Sequence, residues 1–120
     1  MAITADLEHL SFQHGELVFT AKAMGEGPVV ICLHGFPDNA GSFRHQLPAL
    51  AEAGFRAISV TLRGYERSSI PENGDYSVEA IAADIYAVIG QLDQGPVHLV
   101  GHDWGAAIAY KAAALAPKYF

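Results

Sequence analysis

The chain has 120 residues, of which 51% are hydrophobic and 17% charged, and its formal net charge is −6. This length allows one domain at most, and the acidic balance argues against a nucleic-acid surface. No apolar run approaches the roughly 20 residues of a membrane span, and Met1–Leu10 lacks the basic and apolar regions of a signal peptide. The single cysteine, Cys32, cannot form an internal disulfide and suits a reducing compartment, so we expect a cytoplasmic protein.

The first part of the chain predicts an antiparallel hairpin followed by a buried strand. Glu8–His14 and Leu17–Ala23 alternate apolar and polar residues, as strands with one buried face do. Val29–Leu33 is apolar throughout, which is typical of a strand covered on both faces. A helix is predicted over Ser42–Ala53, and Pro48 indicates that its first turn is separate.

The second part of the chain alternates strands and helices. Arg56–Val60 predicts a strand, Thr61–Asp75 is a long loop, and Ser77 is a suitable N-cap for the helix that follows. Val97–Val100 then predicts a buried strand and Ala106–Ala116 an Ala-rich helix. The order indicates an α/β fold in which an antiparallel hairpin leads into a mainly parallel sheet covered by helices on both faces.

The run Gly101-His102-Asp103-Trp104-Gly105, between the last strand and the last helix, has the Gly-x-nucleophile-x-Gly pattern of a nucleophile elbow. A carboxylate with a pKa near ~3.9 is ionised at neutral pH and needs no base before it attacks. Attack on an sp3 carbon that bears a leaving group gives an ester that water must hydrolyse, so the pattern favours an epoxide or an alkyl halide as substrate. An aspartate that only caps the following helix remains the alternative for this run alone.

A second motif, His34–Pro37 (His-Gly-Phe-Pro), directly follows the first buried strand, and its loop is expected beside Asp103. Together with the Arg63–Tyr65 run (Arg-Gly-Tyr), the two motifs resemble the α/β-hydrolase fold family, and within it the soluble epoxide hydrolases. The resemblance covers the chain from about Phe12 to Phe120, and the pairing of the motifs makes it specific.

The resemblance implies that Asp103 is the nucleophile and that the backbone N–H groups of Phe36 and Trp104 form an oxyanion hole. Fixed donors of this kind stabilise the tetrahedral oxyanion of ester hydrolysis. Pro37 is expected to hold the loop so that the Phe36 N–H points inward, and the side chains of Phe36, Trp104, Pro37 and His34 are expected to line the substrate pocket. The predicted reaction converts a small apolar epoxide and water to a vicinal diol through a covalent ester on Asp103.

A haloalkane or haloacid dehalogenase that uses the same aspartate is the alternative reaction. By the resemblance, haloalkane enzymes carry Asn at the position of Phe36 and fluoroacetate dehalogenases carry Arg at that of Trp104, so these two residues favour the epoxide. Thr61 and Glu66 replace an Asp and a Gly that are common in relatives, which bears on the local conformation of their loop.

No cofactor is implied, and no metal site is predicted. His34 and His102 would lie near Asp103, but these two histidines are not separated by a metal-ligand spacing. Tyr65 and Tyr76 are not assigned as ring-opening acids, because the resemblance places those tyrosines in a cap domain further along the chain.

The resemblance also implies that residues 1–120 are the N-terminal part of a single core domain, with the cap domain and the C-terminal part outside them. The orienting acid and the catalytic histidine follow the nucleophile in family order, so we expect this chain alone to be inactive. Val97–Val100 would leave an open apolar edge, to be completed by a C-terminal half or a second chain. A non-catalytic fragment or half-domain that acts only by assembling with a partner is the alternative of another class.

Overall fold

A computed structural model describes residues 6–120, which form a five-stranded sheet with three α-helices. Three short 3-10 segments, Ala40–Phe43, Arg67–Ser69 and Pro117–Tyr119, lie in the connections. In chain order the main elements are β1 (Glu8–His14), β2 (Leu17–Met24), β3 (Val29–Leu33), α1 (Gln46–Glu52), β4 (Arg56–Val60), α2 (Val78–Leu92), β5 (His98–Gly101) and α3 (Trp104–Leu115).

The sheet has the order β1-β2-β4-β3-β5 and is mixed. The hairpin β1–β2 and the pair β2–β4 are antiparallel, whereas β4, β3 and β5 run parallel. Leu33 at the end of β3 pairs with Val60 on one side and with Gly101 on the other. The three parallel strands therefore end at one level, and the loops that follow them share one edge of the sheet.

Strand β3 is buried on both faces, as its apolar sequence predicts. Ile31 and Leu33 belong to the larger apolar cluster, to which α2 and α3 contribute residues such as Ile85 and Ile108. Val30 and Cys32, which point to the other face of β3, belong to a smaller cluster with Leu47 of α1. Because side chains alternate along a strand, the helices cover both faces of the parallel part of the sheet.

The helix predicted over Ser42–Ala53 is two separate elements, the 3-10 turn Ala40–Phe43 and α1. Pro48 is the third residue of α1, where its missing N–H removes no helical hydrogen bond. The expectation of a separate first turn is therefore confirmed. Beyond the end of α1, Gly54 has a φ of +96°, and its N–H donates to Ala51 O at 3.1 Å.

Strand β5 is an edge strand in residues 6–120, with β3 as its strand neighbour. Val100, predicted to be buried, is therefore 44% exposed. Helix α3 begins at Trp104, two residues earlier than predicted, because the turn between β5 and the helix is very short. None of the helices in this described part is long and apolar enough to cross a membrane.

Candidate active site

Asp103 occupies the turn between β5 and α3, with φ 57° and ψ −120°. Side-chain-bearing residues rarely adopt a positive φ, and the surrounding backbone holds this one. The N–H of His102 donates to Leu33 O at 3.1 Å, and the N–H of Gly105 donates to His102 O at 2.9 Å. The turn is thereby joined to the end of β3 and closed on itself, so that the Asp103 carboxylate stands at the edge where the parallel strands end.

Glycine is required at three places around this turn. A Cβ on Gly105 would lie 2.1 Å from Leu33 O, and one on Gly101 would lie 2.4 Å from Gly105 O. These distances confirm that the two flanking glycines permit close backbone approach. Gly35 was given no such role by the sequence, but a Cβ there would lie 2.6 Å from the Cβ of Asp103.

The Phe36 backbone N–H donates to Asp103 Oδ2 at 3.2 Å, across 67 residues of sequence. Hydrogen bonds from the N–H groups of Trp104 and Phe36 hold the pKa of the Asp103 carboxyl below its ordinary value, and the charge of His102 adds to this lowering. Asp103 is therefore ionised at neutral pH. The structure thus brings together three of the predicted site residues, Phe36, Asp103 and Trp104.

An open depression of about 460 Å³ lies over the carboxylate, lined by Phe36, Tyr65, Asp103 and Trp104. The Phe36 side chain is 74% exposed and that of Trp104 is 37% exposed, so both present aromatic surface there. Pro37, joined to Phe36 by a cis peptide bond, instead helps to line an adjoining depression of about 300 Å³ that also reaches Asp103.

Tyr65 is a lining residue that the sequence did not assign to the site. Its ring meets the ring of His34 edge-on, with centroids 4.7 Å apart, and that of Phe36 at 6.4 Å. Burial, with a smaller contribution from the charge of Asp103, raises the pKa of the Tyr65 phenol, so the hydroxyl is protonated at neutral pH. The sequence did contain one indication of this role: Tyr65 lies in the loop after β4, and the parallel register places that loop at the same edge of the sheet as Asp103.

The prediction that His34 lines the pocket is corrected, because its side chain is fully buried behind the pocket wall. Its Nδ1 lies 2.9 Å from Gly35 O, and its Nε2 accepts a hydrogen bond of 3.0 Å from the Leu62 N–H. Burial lowers the pKa of the imidazole. His34 therefore joins the loop after β3 to the loop after β4.

The loop that carries Tyr65 is also held by a buried ion pair. Arg63 donates from Nε and Nη2 to the two carboxylate oxygens of Asp84 on α2, at 2.9 and 2.8 Å. Its Nη1 donates to Asp75 O at 2.8 Å. The Nδ1 of His14, at the end of β1, lies 2.7 Å from Asp84 Oδ1. One carboxylate thus connects the hairpin, α2 and the loop beside the site.

The two departures from the family pattern, Thr61 and Glu66, contact the same residue of β2. The Glu66 carboxylate accepts from the N–H of Thr20 at 2.6 Å and from its hydroxyl at 2.5 Å. The Thr61 hydroxyl lies 3.4 Å from that of Thr20. These contacts fasten the loop to the sheet on the side away from Asp103. Among residues 6–120, no three His, Cys, Asp or Glu side chains are grouped as metal ligands would be.

An aspartate on a strand–turn–helix elbow, facing a backbone donor from the loop after a parallel strand, has the arrangement of an α/β-hydrolase elbow. The chain belongs to that family: the model of the alpha/beta hydrolase fold matches residues 28–120, which include both motifs. This confirms the family resemblance and the fold class.

The relatives include several epoxide hydrolases. Bifunctional epoxide hydrolase 2 of Sus scrofa is 41% identical over 96 residues, which are 79% of this chain and 17% of that protein. An epoxide hydrolase of Caballeronia sordidicola is 42% identical over 119 residues, or 98% of this chain and 36% of that protein. The crystal structure of an epoxide hydrolase from Vigna radiata matches 95% of this chain at 38% identity with a TM-score of 0.89, and 38% of that chain is covered. The chain thus spans little more than a third of these relatives at most.

Proposed function

We propose that this chain supplies the nucleophile and the oxyanion donors of an epoxide hydrolase. An oxygen of the Asp103 carboxylate attacks an epoxide carbon, the C–O bond of the ring breaks, and the alkoxide takes a proton from an acid. Water that has lost a proton to a base then attacks Cγ of the ester. The bond between Cγ and the ester oxygen attached to the substrate breaks, that oxygen takes the proton held by the base, and the diol leaves with one oxygen from the epoxide and one from Asp103.

The hydrogen bond from the Phe36 N–H to Asp103 Oδ2 carries this proposal. This donor satisfies the carboxylate before attack, and together with the neighbouring Trp104 N–H it stabilises the oxyanion that develops when water adds to the ester. An aspartate that only caps the helix would accept from the N–H of the second or third helical residue, yet the Asp103 side chain makes no such capping hydrogen bond. The names of the relatives and the aromatic lining support a small apolar epoxide as the substrate.

The general base, its orienting acid and the acid that protonates the alkoxide belong, in this proposal, to sequence outside residues 1–120. Within residues 6–120, no histidine is hydrogen-bonded to Asp103, so this chain alone is expected to be inactive. We therefore propose that these residues are the N-terminal part of one core domain, completed by a C-terminal half or a second chain and by a cap domain. The exposed Val100 and an apolar groove of about 400 Å³ between β5 and α3 support that completion.

We also propose a cytoplasmic location. Cys32 lies fully buried in β3 as a free thiol, and burial raises its pKa to about 11. Such a thiol suits a reducing compartment, and fractionation of cells against compartment markers tests this location.

A single turnover of the full-length protein in ¹⁸O-labelled water tests the chemistry. One ¹⁸O atom should enter the peptide that contains Asp103, while the diol of the first turnover stays unlabelled. The Asp103→Ala protein should form neither diol nor labelled peptide. Label that passes directly into the first-turnover diol would contradict the ester mechanism. Turnover of an alkyl halide in place of the epoxide would favour the dehalogenase instead.

A further inference from the structure

The oxyanion donor of Phe36 belongs to a peptide group whose other end is hydrogen-bonded. The Gly35–Phe36 peptide bond is trans, so Gly35 C=O and Phe36 N–H point in opposite directions from one rigid plane. Gly35 O lies 3.0 Å from its donor Asp38 N and 2.9 Å from His34 Nδ1. Whatever holds this carbonyl therefore sets the direction of the N–H that reaches Asp103.

The hydrogen bonds of His34 define its tautomer. Nε2 accepts from the Leu62 N–H, so it carries no proton. In a neutral ring the proton then lies on Nδ1, which donates it to Gly35 O. The ring is fully buried, and the edge contact with Tyr65 limits its rotation.

We infer that His34 is a positioning residue, which holds the Gly35–Phe36 peptide so that the Phe36 N–H is aimed at the nucleophile. This inference rests on the proposed function. His34 touches neither substrate nor the reacting carboxylate; it acts through the carbonyl of Gly35. The Leu62 N–H holds the ring from the loop after β4, so the donor in one loop is oriented from the neighbouring loop.

The two steps of the reaction depend on this donor differently. During attack on the epoxide the carboxylate loses charge, so the Phe36 N–H bond does not strengthen in that transition state. During ester hydrolysis the charge develops on the oxygen that this N–H faces, so the bond strengthens there. A misaligned donor should therefore slow hydrolysis and leave ester formation nearly unchanged.

Two substitutions separate the two hydrogen bonds of His34. Asn places an amide group at the reach of Nδ1, so His34→Asn can still donate to Gly35 O. Gln places one at the reach of Nε2, so His34→Gln can still accept from the Leu62 N–H but loses the bond to Gly35 O, which then keeps only the bond from Asp38 N–H. Each variant keeps one of the two hydrogen bonds of the buried ring and loses the other, so each is the control for the other.

Steady-state and single-turnover kinetics of the full-length protein on an epoxide provide the test. In His34→Gln, kcat should fall by roughly 10²-fold, the lower end for loss of an oxyanion donor. KM should fall with it, so that kcat/KM stays within about threefold and the Asp103 ester accumulates. His34→Asn should keep most of kcat. Equal kcat in both variants, or a fall in kcat/KM as large as the fall in kcat, would overturn the inference.

A measurement on the amide itself does not depend on turnover. In protein labelled with ¹⁵N-phenylalanine, the Phe36 amide should be protected from exchange in the wild type and in His34→Asn and lose that protection in His34→Gln. If neither variant folds, the imidazole ¹⁵N shifts of the wild type decide: Nε2–H, or a charged ring at neutral pH, contradicts the inference. A wild type that makes no diol refutes the proposed function, whereas an active wild type with unaltered variants refutes only the role of His34.

Discussion

Removing the carboxylate of Asp84 should destabilise the protein strongly, because it leaves the buried Arg63 guanidinium without its counter-charge and with the Asp75 carbonyl as its remaining partner. The Arg63 side chain is 9% exposed and that of Asp84 is 3% exposed. Two charge-assisted hydrogen bonds, of 2.9 and 2.8 Å, are lost. Each such bond contributes roughly 1.5–3 kcal/mol, and breaking a buried pair costs about 3–5 kcal/mol in measured cases. We therefore expect Asp84→Ala to lower the free energy of unfolding of the full-length protein by about 3–5 kcal/mol.

A double-mutant cycle in urea, with unfolding followed by circular dichroism, measures this effect. The cycle consists of Arg63→Met, Asp84→Leu and the double variant, which removes both charges and keeps apolar volume, so the double variant should be more stable than Asp84→Leu and than Asp84→Ala. The exposed pair between Glu79 and Lys111, at 3.3 Å, provides the surface control: Glu79→Ala should leave unfolding nearly unchanged. A loss below about 1 kcal/mol in Asp84→Ala, or strictly additive effects of the two single changes, would refute the reasoning.

Three further changes test the site and the core. Gly35→Ala would place a Cβ 2.6 Å from that of Asp103, so diol formation should fall by about 10²-fold or more. Gly90→Ala, with open space around it, is the control and should leave activity unchanged while stabilising α2 by roughly 0.5–1 kcal/mol. Equal activities of the two variants would contradict the crowding argument. The buried Cys32 thiol, with its pKa raised to about 11, should react with a disulfide reagent only after unfolding, and reaction in the native protein would contradict its placement. The pKa of Asp103 is lowered, so its carboxylate stays ionised at every pH above that pKa. The single-turnover rate of ester formation should therefore show no loss on the acid side down to about pH 5. A rate that falls with a midpoint above about pH 5 would show that Asp103 is not the group that attacks.

The strands and their succession along the chain were predictable because they depend on local patterns. Alternation marked β1 and β2, and the continuous apolar run marked β3. Once the strands are parallel, their carboxyl ends must share one edge, so the proximity of Phe36 and Asp103 followed from topology. The glycines of the elbow were predictable for the same reason, since the turn needs close backbone contact.

The parts of the site that the sequence did not predict depend on contacts between loops. His34 is buried because the Leu62 N–H, 28 residues later, bonds to its ring. Tyr65 reaches the depression because Arg63, two residues before it, is fixed by Asp84 on a helix 21 residues further along the chain. The spacing of apolar residues does not predict such pairs, because each contact depends on one side chain in an irregular segment. The exposure of Val100 has a different cause: the strand lies at the edge of the sheet.

The 67-residue separation of Phe36 and Asp103 also has a consequence for folding order. Their contact depends on β5 docking beside β3, and β5 is the last of the five strands of residues 6–120 to leave the ribosome. Until it docks, the Phe36 amide has no carboxylate to bind, while the hairpin and the β3–β4 pair can already form. Contacts between distant segments carry the largest loop-closure cost. Protection of that one amide from exchange would therefore report, during refolding, when the edge of the sheet that carries the candidate site is assembled.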